Sequence, residues 1–126
     1  MNKHETMEIP REAWGDYLSA LSNRENAHPV SVRVEGQEIG DQLLAEGIPL
    51  VGISLEKKGS EASAIELTLA NQDQGNMTHM IQTPEHVYVE EGAQGEVVCI
   101  DIEDKAHVKT LIFFDRYKEL PVGTQR

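Results

Sequence analysis

The feature that most constrains the fold is a change of hydrophobic period after Pro29. Beyond this point Val30, Val32 and Val34 alternate with polar residues, and the same two-residue period returns in several later segments. Because successive side chains of a strand point to opposite faces, this alternation predicts strands with one buried face and one exposed face. The predicted strands are 30–34, 51–55, 65–69, 77–82, 87–89, 97–102 and 108–114.

A different period marks the N-terminal part of the chain. Trp14, Tyr17, Leu18 and Leu21 are spaced i, i+3, i+4 and i+7, which places them on one face of a helix. A proline precedes this stripe and a polar run of turn-forming residues follows it. The pattern predicts a single helix near residues 10–23.

The spacing of the strands predicts the fold class. Segments 51–55 and 65–69 form one antiparallel hairpin, and segments 97–102 and 108–114 form a second. We therefore predict an α+β, mostly β fold, in which six or seven short antiparallel strands form a small barrel or roll with one N-terminal helix. The alternative is an open antiparallel sheet that is covered by the helix.

The segment Leu111–Phe114 is apolar on both of its faces. A strand of this kind is expected at the centre of a sheet or under a helix. Trp14, the only tryptophan, is predicted to anchor the helix to the sheet opposite residues such as Ile112 and Phe114.

Size and charge limit the function. The chain has 126 residues, which predicts one domain over 1–126 with an ordered core at about 9–118 and flexible termini. Its net charge is −11, and no basic stripe is present, so a nucleic-acid or anionic-membrane partner is not expected. The single cysteine has no disulfide partner, the N-terminus does not resemble a secretory signal, and the longest apolar run has four residues. These features predict a cytoplasmic protein.

Two stretches, within residues 9–53 and 79–92, resemble a family of small bacterial proteins that is known only as a domain of unknown function. The most specific part is the spacing His-x-Ile-x-x-Pro-x-x-Val-Tyr-Val at residues 79–89. The resemblance extends over about residues 9–114. It implies a bacterial origin and a shared fold, and it implies no activity or catalytic residue.

Two histidines lie within this motif. In an alternating strand His79 shares a face with Met77 and Ile81, which predicts an inward position or a sheet edge. There its imidazole could act as a base, a donor or a ligand, or it could have a structural role by binding a backbone carbonyl. His86 shares a face with Tyr88 and is expected to be exposed.

Other candidate groups favour a structural interpretation. Cys99 lies among small hydrophobic residues, which predicts a buried thiol without a catalytic role. Asp101 and Glu103 share one strand face and could lie beside a cation, although 22 acidic residues make such pairs expected on a solvated surface. No spacing typical of a metal site is present. The sequence therefore predicts no catalytic residue, no metal and no cofactor.

Two hypotheses of function follow. The first is a non-enzymatic module that binds an unknown protein partner, or forms a homodimer, through a sheet edge or a barrel face. The alternative is a small-ligand-binding protein or an enzyme with a site around His79, Tyr88 and Trp14.

Overall fold

The computed structural model describes residues 5–58, 62–71, 73 and 75–115. One α-helix and eight strands are found in this part of the chain. The elements are β1 (Glu5–Ile9), a 3-10 turn (Arg11–Ala13), α1 (Trp14–Arg24), β2 (Pro29–Gly36), β3 (Gly40–Lys58), β4 (Ala62–Asn71), β5 (Gly75–Gln82), β6 (Pro84–Glu91), β7 (Val97–Asp104) and β8 (Lys109–Phe114). The predicted loose C-terminal tail lies outside the described residues.

The strands form an antiparallel sheet in the order β1-β6-β7-β8-β2-β3-β4-β5. The first half of β3 completes a large sheet with β2, β8, β7, β6 and β1, and its second half begins a small sheet with β4 and β5. A closed barrel requires the two end strands to pair with each other. The end strands are β1 and β5, and in the described part of the chain they do not pair with each other, so the sheet is open. The predicted small barrel is wrong, and the alternative of an open antiparallel sheet is confirmed.

The strand β3 changes partner at a proline. Pro49 lies opposite Pro29, the first residue of β2, and from Leu50 onward the strand pairs with β4. A proline lacks a backbone N–H, so it is expected where regular strand pairing ends or at a sheet edge. In the structure the proline lies within the strand, where β2 begins and one ladder gives way to the next, so its missing N–H costs little.

The helix covers the edge of β3 that β2 leaves open. Ser22 Oγ donates a hydrogen bond to the carbonyl of Ile53 at 2.6 Å and accepts one from the Ile53 N–H at 2.8 Å. Asn26 Nδ2 donates to the carbonyl of Val51 at 3.0 Å. These side chains therefore take the place of a neighbouring strand. The helix predicted near residues 10–23 is confirmed as the 3-10 turn followed by α1.

A single cluster of buried hydrophobic side chains joins the helix and both sheets. Trp14, at 1% exposure, belongs to this cluster, and its Nε1 donates to the carbonyl of Ile9 at 2.9 Å. Ile112 and Phe114 belong to the same core. The helix lies nearest to β3, where Ser22 holds it at the strand edge, and the packing of Trp14 opposite Ile112 and Phe114 stays a prediction. That residues 1–126 form one domain stays a prediction.

Both predicted hairpins are confirmed, with Leu55 opposite Ile65 and Asp101 opposite Leu111. Strand β1 was not predicted, because only one of its five residues is buried. It extends the ordered structure to Glu5, earlier than the predicted start of the core. Within the described residues no helix is long and apolar enough to cross a membrane.

The motif at residues 79–89 spans the corner between the two sheets. The chain turns at Thr83, which has a φ of 45°, and Pro84 begins β6. Arg11 Nη2 donates to the carbonyl of Pro84 at 3.4 Å, and the Lys105 N–H donates to the carbonyl of Thr83 at 3.0 Å. These contacts fix the direction in which β6 enters the large sheet.

Candidate functional site

The candidate site lies on the face of the large sheet that points away from the core. Strand pairing places one residue from each of its strands in a single row, and directly paired residues point to the same side. Ile100 and Ile112, which alternate with two members of this row, are buried in the core, so the row itself faces outward. We call this surface the outer face. From β1 to β3 its central row is Glu8, Tyr88, Asp101, Leu111, Arg33 and Leu43.

A cavity of about 320 Å³ lies on the outer face around Asp101. The side chain of Phe113, at 37% exposure, remains partly open to solvent beside it. The Oδ1 atom of Asp101 is buried and has no hydrogen-bond partner within the described residues. The other lining residues are Thr6, Tyr88, Glu90, Cys99, Leu111 and Phe113. The cavity thus combines apolar and aromatic walls with the carboxyl group of Asp101, one oxygen of which is buried.

The surroundings of Asp101 disfavour its negative charge. Burial raises the pKa of this carboxyl, the Lys109 ammonium lowers it, and Glu103 and Glu35 raise it further. A buried carboxylate is stabilised by a nearby cation or by hydrogen-bond donors. A cationic group in the cavity would add to the stabilisation that the Lys109 ammonium gives to this carboxylate.

Cys99 lies in the same cavity but is not a nucleophile. Its side chain is 7% exposed, and burial, with Asp101 and Glu90 adding to it, raises the pKa of the thiol to about 12. Since the thiolate is the reactive form, this thiol is inert at neutral pH. The predicted burial of Cys99 is confirmed.

A hydrogen bond between His86 and Glu8 lies at the rim of the cavity toward β1. His86 Nδ1 lies 2.8 Å from Glu8 Oε2, and this hydrogen bond raises the pKa of His86. The His86 ring stacks on Tyr88, with the ring centroids 5.8 Å apart and an interplanar angle of 18°. The stack holds the Tyr88 ring beside the cavity. As predicted, His86 shares the face of Tyr88.

The outer face is acidic around this centre. The paired residues of this face include six acidic side chains and two basic ones, so its net formal charge is 2 − 6 = −4. The basic members are Arg33 and Lys109. The acidic members are Glu8, Glu35, Asp41, Glu90, Asp101 and Glu103.

The three residues of the predicted ligand site occupy different places. Tyr88 lines the cavity, whereas Trp14 belongs to the core on the other side of the large sheet. His79 lies on the small sheet opposite the buried Leu67, on the same face as Ile81, as predicted. Burial lowers the pKa of His79, and no hydrogen bond to its ring is found in the described part of the chain. The structure therefore does not gather the three side chains into one pocket, and Tyr88 alone joins the candidate site.

The sequence contained one signal for this site. Leu111 and Phe113 make β8 apolar on both faces, and β8 is indeed central in the large sheet, between β7 and β2. The helix does not cover their side, because its buried face belongs to the core on the opposite side of the large sheet. Asp101 was interpreted as solvated surface, and its buried Oδ1 corrects that interpretation. Thr6 could not be found because β1 was not predicted.

A second cavity on the described surface has fewer features of a binding site. A cavity of about 440 Å³ lies between the β2–β3 and β7–β8 turns, where His107 Nδ1 lies 3.1 Å from Glu103 Oε2. The His107 side chain is 84% exposed, so this place resembles an ordinary polar surface. Among the residues with described positions, no group of three His, Cys, Asp or Glu side chains could hold a metal ion.

Over the described residues, the fold and the site define a small antiparallel β-sheet protein with one acidic sheet face that the helix does not cover. The chain belongs to a family of unknown function (DUF5335), whose pattern matches residues 5–123. It is similar to an uncharacterized protein of Aquifex aeolicus (strain VF5), with 33% identity over 107 residues that cover 85% of this chain and 89% of the relative. The resemblance to a family of unknown function is thus confirmed. No solved structure matches the chain significantly.

Proposed function

We propose that this protein is a non-enzymatic module that binds a partner protein on its outer face. The bound segment carries a lysine or arginine side chain that enters the cavity, with apolar residues on either side of it. The observation that carries this proposal is the half-buried carboxyl of Asp101, whose Oδ1 has no partner among the described groups, in the lining of a cavity that Leu111 and Phe113 also form.

The chemistry of the cavity favours a cationic side chain. A guanidinium or ammonium group would donate to the Asp101 carboxylate in a charge-assisted hydrogen bond. The Tyr88 and Phe113 rings lie in the same lining and offer aromatic contacts that favour a cation and its hydrocarbon stem. Each of these interactions grows stronger where water is excluded.

The charge of the whole face favours a basic partner. Its net formal charge of −4 attracts a cationic segment at long range and increases the rate at which the two proteins associate. A second copy of the chain would present the same acidic face, so the outer face does not favour a homodimer. Nucleic acid carries the wrong sign of charge for this surface.

A binding role is favoured over an enzymatic one by the groups in the cavity. The inert thiol of Cys99 cannot serve as a nucleophile. His86 points to Glu8 at the rim and is not a lining residue of the cavity. A cytoplasmic location and a bacterial origin belong to the same proposal, and they rest on the single unpaired cysteine and on the source of the relative.

The proposal is tested with a short peptide in which arginine alternates with leucine, added to the full chain. A peptide that alternates glutamate with leucine is the matched control. We expect the arginine peptide to shift the backbone amide resonances of Asp101 and Leu111 in an NMR titration, and the glutamate peptide to leave them unchanged. Replacing Asp101→Asn keeps the shape of the side chain and removes its charge, so affinity for the arginine peptide should fall about tenfold.

A matched variant, Glu38→Gln, removes one charge at an exposed position outside this cavity and should leave the affinity nearly unchanged. Equal affinity of wild type and Asp101→Asn would overturn the proposal. Shifts confined to strands outside the large sheet, or no binding of the arginine peptide, would also overturn it.

A further inference from the structure

The outer edge of the small sheet is formed by β5, which carries no charged residue and no proline. Its eight pairs with β4 show no register shift, so the strand is regular along its whole length. An exposed, regular and uncharged edge presents unpaired backbone groups to any strand that can approach. We infer that β5 binds β5 of a second copy of this chain, antiparallel and about a two-fold axis, so that the two small sheets become one.

The other edges of the described strands are protected. Strand β1 is only five residues long and carries Glu5 and Glu8. The first half of β3 carries Asp41 and Glu46, and its pairing with β2 is interrupted by register shifts. The second half of β3 is covered by Ser22 and its helix. Charges, short length, irregular pairing and cover are the means by which proteins block strand pairing, and β5 shows none of them within the described structure.

The absence of charged residues on β5 favours a second copy as the occupant. With a net charge of −11, two copies repel each other over most of their surfaces. The β5 edge is a place where they can meet without placing like charges on adjacent strands. A neutral edge gives no electrostatic preference to a charged peptide, whereas a two-fold pair of identical strands is matched to itself by symmetry.

The side chains of β5 restrict the register of the pair. Met77, His79 and Ile81 face the inner side, and this side must be continuous in the joined sheet. In an antiparallel pair of this kind the two-fold axis therefore passes between one residue of β5 and the same residue of the second copy, which lie opposite each other. Centring on Thr78 pairs residues 75–81, and centring on His79 pairs residues 76–82, so either register uses seven of the eight residues. Half-buried Met77 and His79 gain cover from the neighbouring strand in both registers.

The inference is tested by sedimentation of the full chain at concentrations up to about 1 mM, since a small interface associates weakly. We expect a monomer–dimer equilibrium in the wild type. The substitution Thr78→Glu places like charges beside the axis and should raise the dissociation constant at least about tenfold. Gln42→Glu, at the exposed and already acidic edge of β3, is the matched control and should leave the dimer unchanged.

Cysteine cross-linking tests the register without relying on Thr78→Glu. Paired antiparallel residues have Cα atoms about 4.5–5.5 Å apart, which suits a disulfide. Under mild oxidation, Thr78→Cys or His79→Cys should give a disulfide-linked dimer, whereas the control Gln42→Cys should not. A chain that stays monomeric, a dimer that keeps its affinity in Thr78→Glu, or a dimer that forms no disulfide from either cysteine overturns the inference. Asp101 lies on the large sheet, so Asp101→Asn should not alter the dissociation constant of the dimer. The test of the dimer and the test of peptide binding on the outer face can therefore fail independently.

Discussion

The substitution Trp14→Ala measures how much the helix and its contact with β1 contribute to stability. Trp14 is 1% exposed, and truncating a buried tryptophan costs about 3–5 kcal/mol through lost transfer energy and the cavity left behind. Its Nε1 also donates to the carbonyl of Ile9, and an acceptor left without a donor adds about 1 kcal/mol or more. The Arg11 guanidinium lies 4.6 Å from the ring centroid, a contact worth up to about 1 kcal/mol at an exposed site.

The expected loss is therefore about 4–6 kcal/mol, against a total stability of roughly 5–15 kcal/mol for a domain of this kind. We expect Trp14→Ala to unfold the chain or to leave it close to its stability limit. Trp14→Phe keeps most of the packing and loses the N–H, so its free energy of unfolding should fall by a smaller amount, about 1–3 kcal/mol.

Urea denaturation followed by far-ultraviolet circular dichroism measures both variants on one scale. Leu43→Ala, at a side chain that is 57% exposed, is the matched control and should change the free energy of unfolding by about 0.5 kcal/mol or less. A loss below about 1 kcal/mol in Trp14→Ala would refute the structural role of this residue. Tryptophan fluorescence that is open to a polar quencher in the native wild type would refute it independently.

Three further predictions concern stability and reactivity. Ser22→Ala removes the partner of both backbone groups of Ile53 and should cost about 1–3 kcal/mol in a urea titration, whereas Ser22→Thr should restore most of the loss and Ser19→Ala, at an exposed helix position, should cost little. Cys99, whose pKa is raised to about 12, should react with an aromatic disulfide reagent at pH 8 only as fast as the chain unfolds, and rapid labelling of the native protein would contradict its burial. Burial lowers the pKa of His79, so the unfolded chain binds a proton at this residue more readily than the folded chain does. As the pH falls from 6.5 through the pKa of His79 in the folded chain, the free energy of unfolding of the wild type should therefore fall relative to that of His79→Gln. A stability difference between the two chains that does not change over this pH range would contradict this prediction.

Local patterns predicted the elements that depend on nearby residues. The helical stripe of Trp14, Leu18 and Leu21 is the buried face of α1, and the two-residue alternation identified both hairpins. In each case the spacing of apolar side chains along one segment indicates which face of that segment is buried.

The closure of the sheet could not be predicted in this way. A barrel and an open sheet have the same alternation, and the difference lies in whether β5 pairs with a strand that is distant in sequence. Strand β1 carries too few apolar residues to be recognised, yet it forms one of the two ends of the open sheet, beside β6. The position of Pro49 was similarly uncertain, because only the pairing partners on both sides show that a strand continues through it.

The candidate site was predictable only in part. The two-sided apolar character of Leu111 and Phe113 indicated a central strand, but which of its faces the helix leaves uncovered depends on the packing of α1 on β3. The role of Asp101 depends on its neighbours across the sheet, Tyr88 and Leu111, which are separated from it by turns. A single carboxylate among 22 acidic residues gives no such signal in the sequence.

The most direct test of the proposed binding role is the pKa of the Asp101 carboxyl, followed by carbon-13 NMR with and without the saturating arginine–leucine peptide. In the protein alone we expect this pKa to lie above its ordinary value of 3.8, because burial disfavours the charge. With the peptide bound, a cation beside the carboxylate should lower the pKa below that of the protein alone. An unchanged or higher pKa in the presence of the peptide would contradict the proposal that the outer face takes up a cationic side chain at Asp101.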